Sequence, residues 1–186
     1  MKKLIAITGM PGAGKSVMAN VAKKMGLTVI SMGDVVREEA ASRGIPPTPE
    51  NLGRIMIELR EKHGPNIVAK KCAEKIKECH SEIIVIDGVR SLFEVEEFRK
   101  ISRNIVIVAI HASPRTRFKR LKSRGRSDDP QSWAEFNERD LRELRVGIGE
   151  VIALADYMIV NEGTLEEFKN EARKLLRRLL SNGSNS

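Results

Sequence analysis

Aromatic side chains make up only 4% of this 186-residue chain, and no apolar run is long enough to cross a bilayer. The first scarcity argues against a base-stacking platform of the sort that binds single-stranded nucleic acid. The second predicts no membrane span. Cysteine is limited to Cys72 and Cys79, which a helix would hold about 10 Å apart, too far for a disulfide. His63, His80 and His111 stand alone, so no Cys/His set has zinc spacing. No secretory leader is expected either, because Lys2 and Lys3 lie directly against an apolar strand; the expectation is a cytoplasmic protein.

What is present is positive charge. The net value of +8 predicts an anionic partner without naming it. Between Arg115 and Arg126, seven of twelve residues are basic, namely Arg115, Arg117, Lys119, Arg120, Lys122, Arg124 and Arg126. A solvated helix face accounts for them equally well, and RNA is the less favoured reading, because Phe118 is the one aromatic among them.

The strongest local signal is Gly9-Met10-Pro11-Gly12-Ala13-Gly14-Lys15-Ser16, a GxxxxGK[ST] loop. Its glycines let backbone N–H groups turn inward onto phosphate oxygens, and the helix that follows adds the positive end of its dipole. Lys15 would reach the outer phosphates and the Ser16 hydroxyl would hold Mg²⁺. The flanks fit. Lys3 to Thr8 reads as a buried strand, and Met18, Val21, Ala22 and Met25 recur at helical spacing before Gly26 ends the helix.

Downstream, strands and helices alternate. Leu27 to Ser31, Ile83 to Ile86, Ile105 to Val108 and Tyr157 to Val160 read as strands. A helical region over residues 34–79 is punctuated by Gly44-Ile45-Pro46-Pro47 and by Gly64-Pro65, with Thr48-Pro49-Glu50 as a helix start. Leu165 to Leu180 reads as a closing helix opened by a Thr164/Glu167 capping box, and a Ser/Asn/Gly tail follows that is expected to be disordered. This order predicts an open parallel five-stranded sheet flanked by helices, a three-layer α/β fold with ligands at the carboxyl ends of the strands. Asp87 stands at such an end, where it would orient Mg²⁺ through water. An ordinary strand-end turn residue in Asp-Gly is the alternative.

Taken together, the chain resembles the nucleoside monophosphate kinases, the adenylate kinase-like branch of P-loop proteins. Gly9 to Ser16 is similar to that family's GxPGxGK loop. Ser31-Met32-Gly33-Asp34-Val35-Val36-Arg37 is similar to its S-x-G-D-x-x-R acceptor segment. Asp87-Gly88-Val89-Arg90 resembles D-G-x-P-R, one residue shorter and without the proline. Arg120 to Asp129 resembles a short lid of the R-x-x-x-R…G-R-x-D-D type. The resemblance implies one P-loop kinase domain over residues 1–186, with an acceptor-binding helical region over 34–79 and a lid over 120–139. It implies ATP and Mg²⁺ as cofactors, with Gly9, Pro11, Gly12, Ala13, Gly14, Lys15, Ser16 and Val17 around the phosphates and Arg120 over the donor base. Arg37 and Arg90 would hold the acceptor phosphate, beside Asp34. Arg124 and Arg126 would hold the transferring group, Asp128 would pair with arginines on closure, and Arg139 would be the second lid arginine.

Several residues keep structural alternatives. Asp34 would equally cap a helix starting at Val35, Asp129-Pro130 has the form of a helix start, and Ser91 with Glu94 forms a capping box. Glu94 otherwise stands where adenylate kinases carry the glutamine that reads the acceptor base; a carboxylate there would suit N–H donors such as those of guanine. Trp133, Phe136, Leu141 and Leu144 recur at helical spacing and are expected in the core. The activity implied is transfer of a γ-phosphoryl group from ATP to a nucleoside monophosphate. Two alternatives stay open: a dephospho-coenzyme A kinase-like enzyme, with Asp34 as base for a hydroxyl, and a nucleotide-dependent switch or RNA-associated ATPase. Oligomeric state has no signature.

Overall fold

Residues rich in β-branched side chains form the centre of the molecule. A computed structural model of the protein describes residues 2–125 and 129–181, with the side chains of residues 49 and 50 excepted. Five strands, β1 (Lys3–Thr8), β2 (Thr28–Ser31), β3 (Ile83–Asp87), β4 (Ile105–His111) and β5 (Tyr157–Val160), pair in the order β2-β3-β1-β4-β5. All the pairings are parallel. Every residue of β1 is buried, as a central strand covered on both faces requires.

Helices cover both faces. On one side α1 (Lys15–Lys24) and α9 (Leu165–Ser181) pack Met18, Val21, Phe168 and Leu176 onto Ile5, Ile7 and Val108. On the other, α2 (Met32–Ser42), α3 (Pro49–His63), α4 (Ile67–Glu78), α5 (Leu92–Arg99) and α8 (Ile148–Ala153) pack Val35, Ile55, Val68, Ile76, Val95, Phe98 and Val151 onto Leu4, Ala6, Ile84 and Ile86. The helices α6 (Pro114–Arg124) and α7 (Trp133–Val146) stand at the carboxyl end of the sheet. The expected three-layer sheet is thus present.

Caps set most of the boundaries. Thr48 accepts from the Asn51 N–H with Pro49 in the first turn, and Thr164 and Glu167 exchange both bonds of a capping box. Two expectations fail. Helix α2 already starts at Met32 with Ser31 as its N-cap, so Asp34 lies in the first turn and caps nothing. Helix α7 starts at Trp133, where Ser132 accepts from the Glu135 N–H; Asp129 is therefore not its cap. Of the apolar set on α7 only Phe136 is buried, while Trp133, Leu141 and Leu144 are exposed. The spacing located one face of the helix correctly, but nothing covers most of it. Arg126 and Asp128 lie outside the described residues, as do the residues after Ser181.

Candidate functional site

The loop between β1 and α1 has the shape that a phosphate needs, for reasons visible at two glycines. Gly9 has φ +146°, and a Cβ there would collide with the Ile110 carbonyl of β4. Gly14 has φ +120°, and a Cβ there would lie 2.6 Å from the Asn161 amide nitrogen. A side chain at either position would therefore strain the backbone and push the neighbouring strand end away. Pro11 and Ala13 contribute carbonyls to the same packing: Arg117 donates to Pro11 at 3.2 Å and Asn161 donates to Ala13 at 2.8 Å. Gly12 completes the turn, and Ser16 and Val17 lie in the first turn of α1, Ser16 exposed.

Lys15 folds back over its own loop, donating to the Gly9 carbonyl at 2.5 Å and the Met10 carbonyl at 3.3 Å. Burial lowers its pKa from 10.5 to about 8, and the Arg90 cation pushes in the same direction; Glu143 and Asp87 oppose it, and Arg139 adds to it. One electrostatic neighbourhood therefore joins Lys15 to β3 and the loop after it, through Asp87 and Arg90, and to α7, through Arg139 and Glu143. Asp87 ends β3 beside Ser31 of β2. Burial raises its pKa, and its Oδ1 is a buried oxygen without a hydrogen bond among the described residues. Such an orphan acceptor fits a cation or its bound water. Among the described residues no cluster of three or more His, Cys, Asp or Glu forms a metal cage, so Ser16, Asp87 and the phosphates themselves would have to share the Mg²⁺.

The acceptor candidates lie on the other side of Asp87. Arg37 bonds Asp34 at 2.5 Å within α2, and both side chains are more than half exposed. Arg90 donates from NH1 to the Met56 sulfur at 3.4 Å and lies 3.4 Å from Glu143 through Nε. Glu94 is fully buried: it accepts from the Arg90 backbone N–H at 2.7 Å and from Arg60 at 3.1 Å. Burial raises its pKa despite these partners. Glu94 thereby fixes the loop that carries Arg90; of the expected capping box, the Ser91 hydroxyl accepts from the Glu94 N–H, while the Glu94 carboxylate accepts from the N–H of Arg90, one residue before Ser91.

Arg124 and Arg139, distant in sequence, meet at Asp129. That carboxylate is fully buried, holds Arg124 at 2.5 and 2.9 Å and stands 3.5 Å from Arg139. Arg120 points to the opposite side, donating to the backbone and side-chain oxygens of Asn161 at 3.0 and 3.2 Å. Beside it, Thr116, Lys119, Arg120 and Ser123, on one face of α6, line an open cavity of about 560 Å³ with Glu162 and Gly163.

Sequence reasoning did not single out three of these parts. Arg117 is buried, with its fork bonded to Asp140 at 2.8 and 2.6 Å, its Nε on the Ala112 carbonyl and its face over Phe136. It is a brace between α6, α7 and the phosphate loop, not a member of a solvated face. Asn161 joins the phosphate loop, Arg120 and, through its N–H, the His111 carbonyl. Glu143 follows Arg139 by one helical turn, and that spacing was its only signal.

Comparison with known proteins agrees with this architecture. A family model described as AAA domain matches residues 8–137. A solved shikimate kinase from Acinetobacter baumannii, in complex with shikimate, superposes with a TM-score of 0.61 at 16% identity, covering 100% of this chain and 97% of that one. A gluconokinase from Sinorhizobium meliloti gives 0.56 at 20%, covering 97% and 94%. The fold is that of the P-loop kinases. A UPF0200 protein of Hyperthermus butylicus is 57% identical over 180 residues, 97% of this chain and 96% of its own length. Another, from Thermococcus kodakarensis, is 50% identical over 182 residues, 96% of this chain and 98% of its own. By these measures the chain carries the AAA domain and belongs to the UPF0200 family.

Proposed function

We propose that this protein is an ATP-dependent kinase that transfers the γ-phosphoryl group to a nucleoside monophosphate. The observation that carries the proposal is the shared neighbourhood of Lys15, Arg90 and Arg139, cations from three separate parts of the chain, with the buried Asp87 carboxylate at the end of β3, its Oδ1 without a hydrogen bond among the described residues. Phosphoryl transfer needs that set, because several anionic phosphates must be neutralised and held in line. In this reading Gly9 to Val17 cradle the donor phosphates, Arg120 lies against the donor base in the α6 cavity, and Arg37 and Arg90 take the acceptor phosphate. Arg124, Arg126 and Arg139 close on the transferring group, with Asp128 as a lid partner. Ser16 and Asp87 would hold Mg²⁺, which would neutralise phosphate charge. The orphan Oδ1 of Asp87 supports that assignment.

One domain with a helical acceptor region over 34–79 and a lid over 120–139 follows from the same reading, as does a cytoplasmic location. No helix among the described residues is long and apolar enough to cross a membrane. RNA is not favoured as a partner, since Arg117 and Arg120, two members of the basic stretch, are used inside the protein.

A hydroxyl acceptor, as in dephospho-coenzyme A, is the second reading. It is favoured by the likeness to kinases named for shikimate and gluconate, both hydroxy acids. Against it stands the base it requires: Asp34 is paired with Arg37 on an exposed helical turn. Incubating the protein with MgATP and AMP, GMP, CMP, UMP or dephospho-coenzyme A, and following which product gains phosphate, decides between them. Phosphate release to water alone would overturn both.

A further inference from the structure

Arg90 and Arg117 are both arginines at the mouth of the phosphate loop, yet their surroundings differ. Arg117 has oxygen acceptors on three of its nitrogens, at 2.6 to 3.2 Å. Arg90 has a thioether sulfur at 3.4 Å and, also at 3.4 Å, the Glu143 oxygen Oε2. Sulfur is a weak acceptor, and 3.4 Å is long for a charge-assisted bond. Glu143 is equally short of partners. Its Oε2 is buried and has no hydrogen bond among the described residues. Two opposite charges thus face each other across a long 3.4 Å contact, and the buried Glu143 oxygen on that contact has no hydrogen bond to offset its burial.

The placement of Glu143 is not accidental to the fold. Asp140, one turn earlier on α7, is fixed to Arg117 and through it to the Pro11 carbonyl, so α7 keeps a set position against the phosphate loop. Arg139 and Glu143, one turn apart on the same helix, both act electrostatically on Lys15, one as a cation and one as an anion. Against Arg90 and within electrostatic reach of Lys15, the Glu143 carboxylate occupies the kind of position that an incoming phosphate would need. A carboxylate brings one charge; a phosphate monoester at neutral pH brings close to two, and oxygens that match the arginine fork in two parallel bonds.

We infer that Glu143 is an internal counter-anion: it holds Arg90 in the free protein and gives it up to a ligand that carries a dianionic phosphate. This rests on the reading of Arg90 as the acceptor-phosphate arginine. It assigns to Glu143 a selective role, because a singly charged ligand gains little by displacing a carboxylate that is already there.

The test uses inorganic phosphate as the probe, titrated by calorimetry into the full chain with MgADP present to fill the donor site. Glu143→Gln and Glu143→Ala should bind phosphate about tenfold more tightly than the wild type, the scale of one charge-assisted contact set free. The gain should vanish in the Arg90→Ala/Glu143→Gln double variant. Thermal melting identifies a variant that fails to fold, and the other then carries the measurement. Unchanged or weaker binding in both single variants overturns the inference. So does a gain that survives loss of Arg90, since the effect would then belong to Lys15. With AMP, GMP, CMP and UMP as acceptors, Glu143→Gln should lower the acceptor KM of whichever is phosphorylated. A loss of kcat of about 10²-fold or more with phosphate binding unchanged would instead make Glu143 a proton acceptor and overturn the counter-anion role. If the phosphate gain appears while the wild type phosphorylates none of the four, the counter-anion stands and the monophosphate reading falls.

Discussion

The phosphate-loop side and the Arg37/Arg90 side of this site, the donor and acceptor sides in the proposed reading, are built in opposite ways. Around the phosphate loop, positions are set by buried contacts: Gly9 against the Ile110 carbonyl, Asn161 against Ala13, and Arg117 locked to Asp140 and Pro11. On the acceptor side the charged groups satisfy one another loosely, Arg37 with Asp34 in solvent and Arg90 with Glu143 at 3.4 Å. A rigid half and a reconfigurable half suit a protein whose donor is fixed and whose acceptor must arrive, orient and leave. The exposed Arg37–Asp34 pair adds little stability, and the contact of Arg90 with the buried Glu143 oxygen is long, so both are open to exchange with a ligand.

That contrast predicts a descending series of effects. Asp140→Ala leaves a buried guanidinium uncompensated and should lower folding stability by about 3–5 kcal/mol, read as a drop in the urea midpoint with unchanged slope. If the loss stays below about 1 kcal/mol, the scale of an exposed pair, the brace is not structural. Lys15→Ala should keep the fold and cost about 10²–10³-fold in turnover, by analogy with the loss of one preorganised transition-state donor. Full activity in the purified variant would remove the phosphate-loop mechanism. Arg37→Ala should raise the acceptor KM by about tenfold and barely move the melting temperature, because its pair with Asp34 is exposed. If Asp34→Asn instead cuts turnover while Arg37→Ala is near normal, the hydroxyl acceptor reading replaces the monophosphate one.

The smallest effect is a pH limb. Lys15 loses its proton near pH 8 in the free protein, mainly through burial. The charged form is the one that meets phosphate, so kcat/KM for MgATP should be level below about pH 8 and fall roughly tenfold per unit above it. A bound polyphosphate raises the lysine again, and kcat should stay level further into the alkaline range. A level kcat/KM up to about pH 10 would show that the ammonium is not shifted.

Legibility in the sequence followed the range of each interaction. The phosphate loop, β1 and the Thr164/Glu167 box are local patterns, and each is found at its expected place. The parallel sheet could be read because runs such as Ile83 to Ile86 have no polar face to turn outward. The capping alternative for Asp34 fails because Ser31, three residues earlier, ends β2 and begins α2 at once. Arg117 gave no hint of burial, since its partner Asp140 lies 23 residues away. Arg139 was expected in the lid, and Asp129 brings it to Arg124. Helical periodicity on α7 could not say which residues another element covers, so Trp133, Leu141 and Leu144 were assigned to a core they do not enter.

The two cysteines give the molecule a chemical clock. Cys72 lies buried on α4, where burial pushes its thiol up to about 12, whereas Cys79, just beyond the helix, is half-buried and its thiol lowered by bonds around Ser81. A thiol-directed reagent at neutral pH therefore tags Cys79 at once and Cys72 only when α4 lifts from the sheet. Counting tags against time, with and without nucleotide, would read how often that half of the protein opens, with no residue changed.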